Sequence, residues 1–161
     1  MIDMIRVDSR GVHGQVMTQW VPKFNTKNIV FVDNKTSTDD FMSEVIKMAI
    51  AQRKVSGVIC SVDDAVKNQE KYSGLNSAMV VFQHIDNLYD AYKKGFKMSS
   101  VNIGTIGGGP GRKVVAPQVS LNSEEVSQLK EMNDNGVEVY FQTTPDYSKL
   151  SFADILAAFN K

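Results

Sequence analysis

Cysteine is almost absent from this 161-residue chain, and net charge is absent altogether. A lone Cys60 can build neither an intramolecular disulfide nor a thiolate metal cage. Its setting, Val58-Ile59-Cys60-Ser61-Val62, reads as a buried strand thiol rather than a reactive one. Lys plus Arg number 18, and so do Asp plus Glu, so a nucleic-acid binder working through a broad positive field is excluded. A small basic pocket is compatible with that balance. With only two histidines and no carboxylate pair at ligand spacing, a metal centre finds too few ligands. No run approaches the ~20 apolar residues of a membrane-spanning helix. The first residues, Met1-Ile2-Asp3-Met4-Ile5-Arg6, lack the basic and apolar regions of a signal peptide. A cytoplasmic location is the expectation.

No internal repeat, low-complexity tract or linker interrupts the chain, and its length suits one domain over residues 1–161. Short β-branched runs alternate with helical patterns. Strands are expected at residues 2–7, 29–32, 55–62, 78–82, 101–103 and 137–141. A helix is expected over 15–24, where Val16, Trp20 and Phe24 recur at spacing four. Another is expected over 37–51, with Thr36, Ser37 or Thr38 as its cap and Phe41, Val45, Met48 and Ala49 as its core stripe. A weaker helix follows over 63–71, and a further one around Leu88, Ala91 and Tyr92 ends at Gly95. Val114-Val115 and 119–121 read as short edge strands. Asn122 with Glu125 is a capping-box signature for a helix running to Asn135, and Phe152, Ile155, Leu156 and Phe159 stripe a final one. This alternation predicts an α/β fold: a mainly parallel open sheet, flanked by helices on both faces.

Ligands of such folds bind beyond the carboxyl ends of the strands, and the informative polar residues fall there. Asp8, Arg10 and His13 follow the first strand, within Arg10-Gly11-Val12-His13-Gly14-Gln15-Val16. Asp33 follows the second strand, Gln83 and His84 the fourth. The fifth runs into Gly104-Thr105-Ile106-Gly107-Gly108-Gly109-Pro110-Gly111-Arg112-Lys113. A histidine at the mouth of a helix, beside a guanidinium, suits a phosphoryl group, because orphan N–H groups (here of Gly14 and Gln15) and the helix dipole favour negative charge. Imidazole titrates near neutrality and offers a neutral nucleophilic nitrogen. Arg10 would stabilise the phosphoryl oxygens, and Asp8 would either bond the His13 ring or position Arg10. Asp33, His84, Gly104 and Arg112 are expected as pocket wall. The glycine loop matches neither a P-loop nor a dinucleotide fingerprint. It still leaves open a phosphate- or nucleotide-binding regulatory module built on residues 104–113. A phosphohistidine phosphatase reading is disfavoured because Val12, not arginine, precedes His13.

The stretch from Ile5 to Val16, with Trp20 one turn on, resembles the start of the IIB components of the mannose/fructose/sorbose family of the bacterial phosphoenolpyruvate-dependent sugar phosphotransferase system. Residues 29–33, 101–104 with 111–113, 121–125 and 136–140 extend the likeness along the chain. The resemblance implies a phosphohistidine–sugar phosphotransferase, with no metal or bound cofactor. His13 would accept a phosphoryl group from a IIA partner and pass it to a sugar entering through membrane IIC and IID partners. Arg10 would steady that group and Asp8 would support the loop, with the protein transiently at the inner face of the membrane. The sugar itself is not readable from the chain. Two departures stand out: Gly11 occupies a position where that family usually has a larger aliphatic residue, and Gly107-Gly108-Gly109-Pro110 is unusually rich in glycine.

Overall fold

The computed structural model describes residues 1–161. Nine strands form: β1 (Ile2–Val7), β2 (Asn28–Val32), β3 (Ser56–Cys60), β4 (Ala78–Phe82), β5 (Ser100–Ile103), β6 (Lys113–Ala116), β7 (Val119–Leu121), β8 (Glu138–Phe141) and β9 (Leu150–Ser151). Seven of them make one sheet in the order β3-β2-β4-β1-β5-β8-β9. Every pairing in it is parallel except β8 with β9. Strands β6 and β7 form a separate antiparallel hairpin. The expected mainly parallel, helix-flanked sheet is the one observed; the two-residue β9 carries too short a pattern to be read from sequence.

The helices are α1 (Val21–Phe24), α2 (Asn34–Ser37), α3 (Asp40–Ala51), α4 (Val62–Lys67), α5 (Gln69–Ser73), α6 (Ile85–Lys93), α7 (Ser123–Asp134) and α8 (Phe152–Phe159). Side-chain alternation along the strands divides the core in two. Val7, Val30, Val32, Val80 and Phe82 face the larger cluster with α4, α6, α7 and α8. Met4, Ile29, Phe31, Met79 and Val81 face the smaller one, closed by Val12, Val16, Trp20, Ile46 and Ile50. Continuous apolar strands are what burial on both faces demands. The Asn122/Glu125 capping box forms as its sequence signature indicates.

Three expected helices differ from the structure. The one expected over 63–71 is broken at Asn68 into α4 and α5. Residues 15–24 do not make one α-helix: Val16–Trp20 is a π-helical turn, with the Val21 N–H donating to the Val16 carbonyl, and α1 follows it. Val16 and Trp20 are buried as expected, and the wider turn is a local form found often at functional sites. The helix expected over 37–51 is broken into α2 and α3. Asp33 caps α2 through the Thr36 N–H, and Asp39, not Thr36, Ser37 or Thr38, caps α3 through the Met42 N–H. The core face of α3 is also not the expected one. Ile46 and Ile50 are buried, whereas Phe41 is 76% and Met48 65% exposed. The helix is apolar on two faces, and periodicity alone does not tell which one meets the sheet.

Cys60 is buried as expected, and burial pushes its thiol up to about 11 despite a hydrogen bond with Tyr72. Alkylation is a thiolate reaction. Iodoacetamide should therefore label Cys60 slowly in the native protein at pH 8 and quickly in denaturant; fast native labelling would show that the strand thiol is accessible.

Candidate functional site

Arg6 and Asp8 sit on β1 and at its carboxyl end, both fully buried. Asp8 Oδ2 accepts from Arg6 Nη2 at 2.9 Å and Nε at 3.3 Å. The remaining guanidinium donors reach Asn102 Oδ1, the Gln142 carbonyl at 3.0 Å and the Thr143 carbonyl at 2.9 Å. Trp20 lies against the same guanidinium, its ring centroid 5.2 Å from Cζ, and its Nε1–H donates to the Thr143 carbonyl at 3.0 Å. Burial raises the Asp8 carboxyl above its ordinary value, opposed by the Arg6 charge and by the Arg10 N–H, and burial lowers Arg6.

Asp8 Oδ1 accepts the Arg10 backbone N–H at 3.0 Å, and its own carbonyl accepts the Gly11 N–H at 2.9 Å. These bonds turn the chain sharply after β1. Gly11 takes φ of 69° in that turn, and a β-carbon there would stand 3.1 Å from the Phe31 ring. Glycine fits both demands, which accounts for its place in a position the resemblance fills with a larger residue. His13 emerges exposed from this turn, with no hydrogen bond to its ring from Asp8. Of the two roles expected for Asp8, only the positioning of the Arg10 backbone is formed.

His13 opens onto a cavity of about 400 Å³ whose wall includes Arg10, Lys35, Asp33, Asp39, Met42, Gln83 and His84. Arg10 is exposed and lies over Gly14, with Nη1 3.4 Å from where a β-carbon would stand. Asp33 and His84 are thus brought to His13 as expected. The other residues expected there are not all delivered. The Gln15 side chain runs to Thr105, whose Oγ1 lies 3.3 Å from its Oε1, and to Gln118. Gly104 lines no part of the cavity and instead lies under Arg6. Arg112 faces a separate cavity of about 260 Å³, which it shares with Ser9, His84 and Gly107. It is held there by Glu125 at 2.6 Å and by the Gly107 and Ser120 carbonyls, each at 3.0 Å. Lys113 donates to the Phe159 and Lys161 carbonyls. The cations of the glycine loop are committed to the fold, which leaves the 104–113 loop poorly equipped to hold a phosphate. A larger cavity of about 840 Å³ lies at the opposite, amino ends of β1 and β5, and none of the residues nominated from sequence lines it.

Two participants carry no local sequence signal. Lys35 carries no motif, and its presence in the wall follows from the α2 turn. Arg6 reads as an ordinary strand residue, although it anchors the loop through partners 96 and 137 residues away in sequence.

An open, mainly parallel sheet with an exposed histidine on the loop after its first strand defines an α/β domain whose candidate site lies where such sheets present their ligands. The comparisons give the family. The PTS system sorbose subfamily IIB component profile matches residues 2–161, so the chain belongs to that family. It is 28% identical over 166 residues to the mannose-specific EIIAB component of Escherichia coli K12, covering all of this chain and 50% of that protein. The chain therefore spans about half the length of that relative. It is 29% identical over 140 residues to the sorbose-specific EIIB component of Lacticaseibacillus casei, covering 86% and 85% of the two chains. The crystal structure of manxB from Thermoanaerobacter tengcongensis superposes with a TM-score of 0.87 at 31% identity, over 98% of this chain and 95% of that one. The IIB domain of the sorbose permease from Klebsiella pneumoniae, at 22% identity and a TM-score of 0.82, shares the fold. No helix is long and apolar enough to cross a membrane.

The Arg6 anchor carries a direct consequence. A β-carbon on Gly104 would overlap the Arg6 guanidinium, which is fully buried and held by Asp8, Asn102 and the Gln142 and Thr143 carbonyls. Gly104→Ala should cost about 3 kcal/mol and lower Tm by roughly 5–10 °C in a calorimetric scan. An unchanged Tm would show that Arg6 can leave its buried site cheaply.

Proposed function

We propose that this IIB component is a cytoplasmic phosphocarrier: His13 takes a phosphoryl group from a phosphohistidine on a IIA partner and delivers it to a sugar entering through membrane IIC and IID partners. The observation that carries this reading is His13 itself. It is exposed, its ring has no hydrogen bond within the chain, and it opens onto a cavity it shares with the exposed Arg10. Relatives named for mannose, fructose and sorbose transport support the class of substrate without fixing the sugar.

The transfer balances without a cofactor. The neutral ring nitrogen of His13 attacks phosphorus in line. The new N–P bond forms as the donor's N–P bond breaks, and that electron pair stays on the donor ring. One proton leaves the second nitrogen of His13 and reaches the donor imidazole through solvent. Nitrogens of similar basicity make the exchange nearly isoenergetic, so the carrier's task is alignment and charge stabilisation. Arg10 supplies charge to the equatorial oxygens, and the Asp8–Arg10 N–H bond holds the loop in register. The donor must cover the rim of the cavity. Met42 stands in that rim, and Phe41, its neighbour, is 76% exposed, which provides an apolar contact for a partner that binds briefly.

Intact mass after incubation with phosphoenolpyruvate, the general phosphotransfer proteins and a matching IIA domain should show one acid-labile phosphate on the wild type and none on His13→Ala. Label retained by His13→Ala would move the site, with His84 the first alternative. Arg10→Ala should slow transfer by about a hundredfold with an unchanged melting curve, and wild-type rates would remove Arg10 from its role. Phe41→Ser should raise the KM for the phosphorylated IIA domain several-fold while leaving the saturating rate intact; a fall in the saturating rate instead would contradict a docking role.

A further inference from the structure

The cavity beside His13 holds a second permanent cation, Lys35, set in the first turn after β2. Strands β1 and β2 flank β4, so the turn carrying Lys35 and the loop carrying His13 rise on either side of the β4 end that bears Gln83 and His84. The two carboxylates in the wall are both engaged in their own turns. Asp33 Oδ2 accepts from the Thr36 N–H at 3.0 Å and from the Thr36 hydroxyl at 2.7 Å. Asp39 Oδ1 accepts from the Met42 N–H at 3.0 Å. Lys35 enters none of the ion pairs of the fold, and its ammonium makes no hydrogen bond within the chain. It is the exposed lysine of this wall, while Arg112 and Lys113, the cations that the sequence placed nearest to a phosphate-like loop, are tied down elsewhere.

The charge balance asks for such a group. A phosphoryl group brings about −1.5 to −2 near neutral pH, and Asp33 and Asp39 add negative charge to the same wall. Arg10 offers one positive charge against them. The Lys35 ammonium is the second basic side chain that the wall sets against them. An ammonium is a compact point charge that suits phosphate without needing a fixed bidentate geometry, and a four-carbon stem lets it follow phosphorus as it moves between two rings.

We propose that Lys35 is the second fixed cation of the site, holding the phosphoryl oxygens of phosphorylated His13 from the side of the cavity opposite the His13 loop. This rests on the phosphocarrier reading above. In the transfer step Lys35 neither gives nor takes a proton; it stabilises the charge spread over the equatorial oxygens as one N–P bond replaces the other.

The test uses the full chain as wild type, Lys35→Gln and Lys35→Arg, with a charged IIA domain as donor and intact mass as the readout. At equal concentrations of carrier and donor, the equilibrium constant for phosphate on His13 should fall about tenfold in Lys35→Gln, which lowers its share of the phosphate from about a half to about a quarter, with a loss of saturating single-turnover rate of about tenfold. The donor KM should change less than twofold, Lys35→Arg should recover most of the loss, and the melting curves should coincide. Raising the salt should shrink the difference between wild type and Lys35→Gln. Equal equilibrium shares and rates for wild type and Lys35→Gln, with the wild type labelled on His13, would overturn the role of Lys35 alone. A change confined to KM would also overturn it, by making Lys35 a docking residue. A wild type that takes no phosphate on His13 from a demonstrably charged donor would overturn the phosphocarrier reading together with it.

Discussion

A fully buried guanidinium organises this molecule. Arg6 cannot leave a donor unpaired inside the protein, because an uncompensated buried charge costs several kcal/mol. Each of its neighbours answers that constraint. Asn102 is a buried polar residue in the middle of β5, the Gln142 and Thr143 carbonyls turn inward after β8, and Gly104 gives up its side chain to make room. Trp20 covers the flat face of the cation and shares the Thr143 carbonyl with it. Four separated segments are thereby tied at one point: β1, the π-helical turn, β5 with the residue after it, and the turn after β8. Asp8 completes the pair with one carboxylate oxygen, and its other oxygen is left to fix the backbone of Arg10. The position of the His13 loop is thus a by-product of neutralising a charge in the core.

The site divides its cations by task. Arg6 and Arg112 are consumed by carboxylates and carbonyls, and neither is free to meet a ligand. Arg10, on the same loop as His13, has no carboxylate partner, and its side chain stands in solvent over Gly14. The proposed gain and loss of a dianionic group would need positive charge that is committed in position and uncommitted in pairing. Backbone bonds to Asp8 meet the first need without using the guanidinium, which meets the second.

Much of the fold was legible because its signals are local. Runs such as Ile29-Val30-Phe31-Val32 are apolar at every position, which only a strand covered on both faces requires, and the Asn122/Glu125 box states where α7 begins. Of the site, His13, Arg10 and Asp8 were legible from their setting at a strand end, with Asp33 and His84 following from the ends of neighbouring strands. What escaped the sequence is non-local. Arg6 is an ordinary strand residue until Asn102 and Thr143 are brought to it, and Gly104 reads as loop wall until the guanidinium lies over it. Arg112 was drawn towards the site by its neighbouring glycines, but Glu125 lies at the start of α7 and captures it. Lys35 became part of the wall only because Asp33 starts a short separate helix where one long helix was expected.

The second apolar face of α3 shows how the same pattern serves two ends. Phe41, Val45 and Met48 follow a helical period as regularly as Ile46 and Ile50, yet only the latter pair is buried. A folded chain with spare apolar residues on one helix could have moved Asp39 and turned α3 to bury them. The Asp39 cap and the contact of Ile50 with the glycine at position 57 of β3 oppose that rotation. The exposed face begins at the residue next to Met42, in the rim of the His13 cavity, so a donor of the proposed kind covering His13 would reach it without a second docking surface. Its small extent matters as much as its place. A carrier must release one partner before meeting the next, and an apolar contact of a few side chains favours encounter while keeping the interface at the weak, transient end of the range.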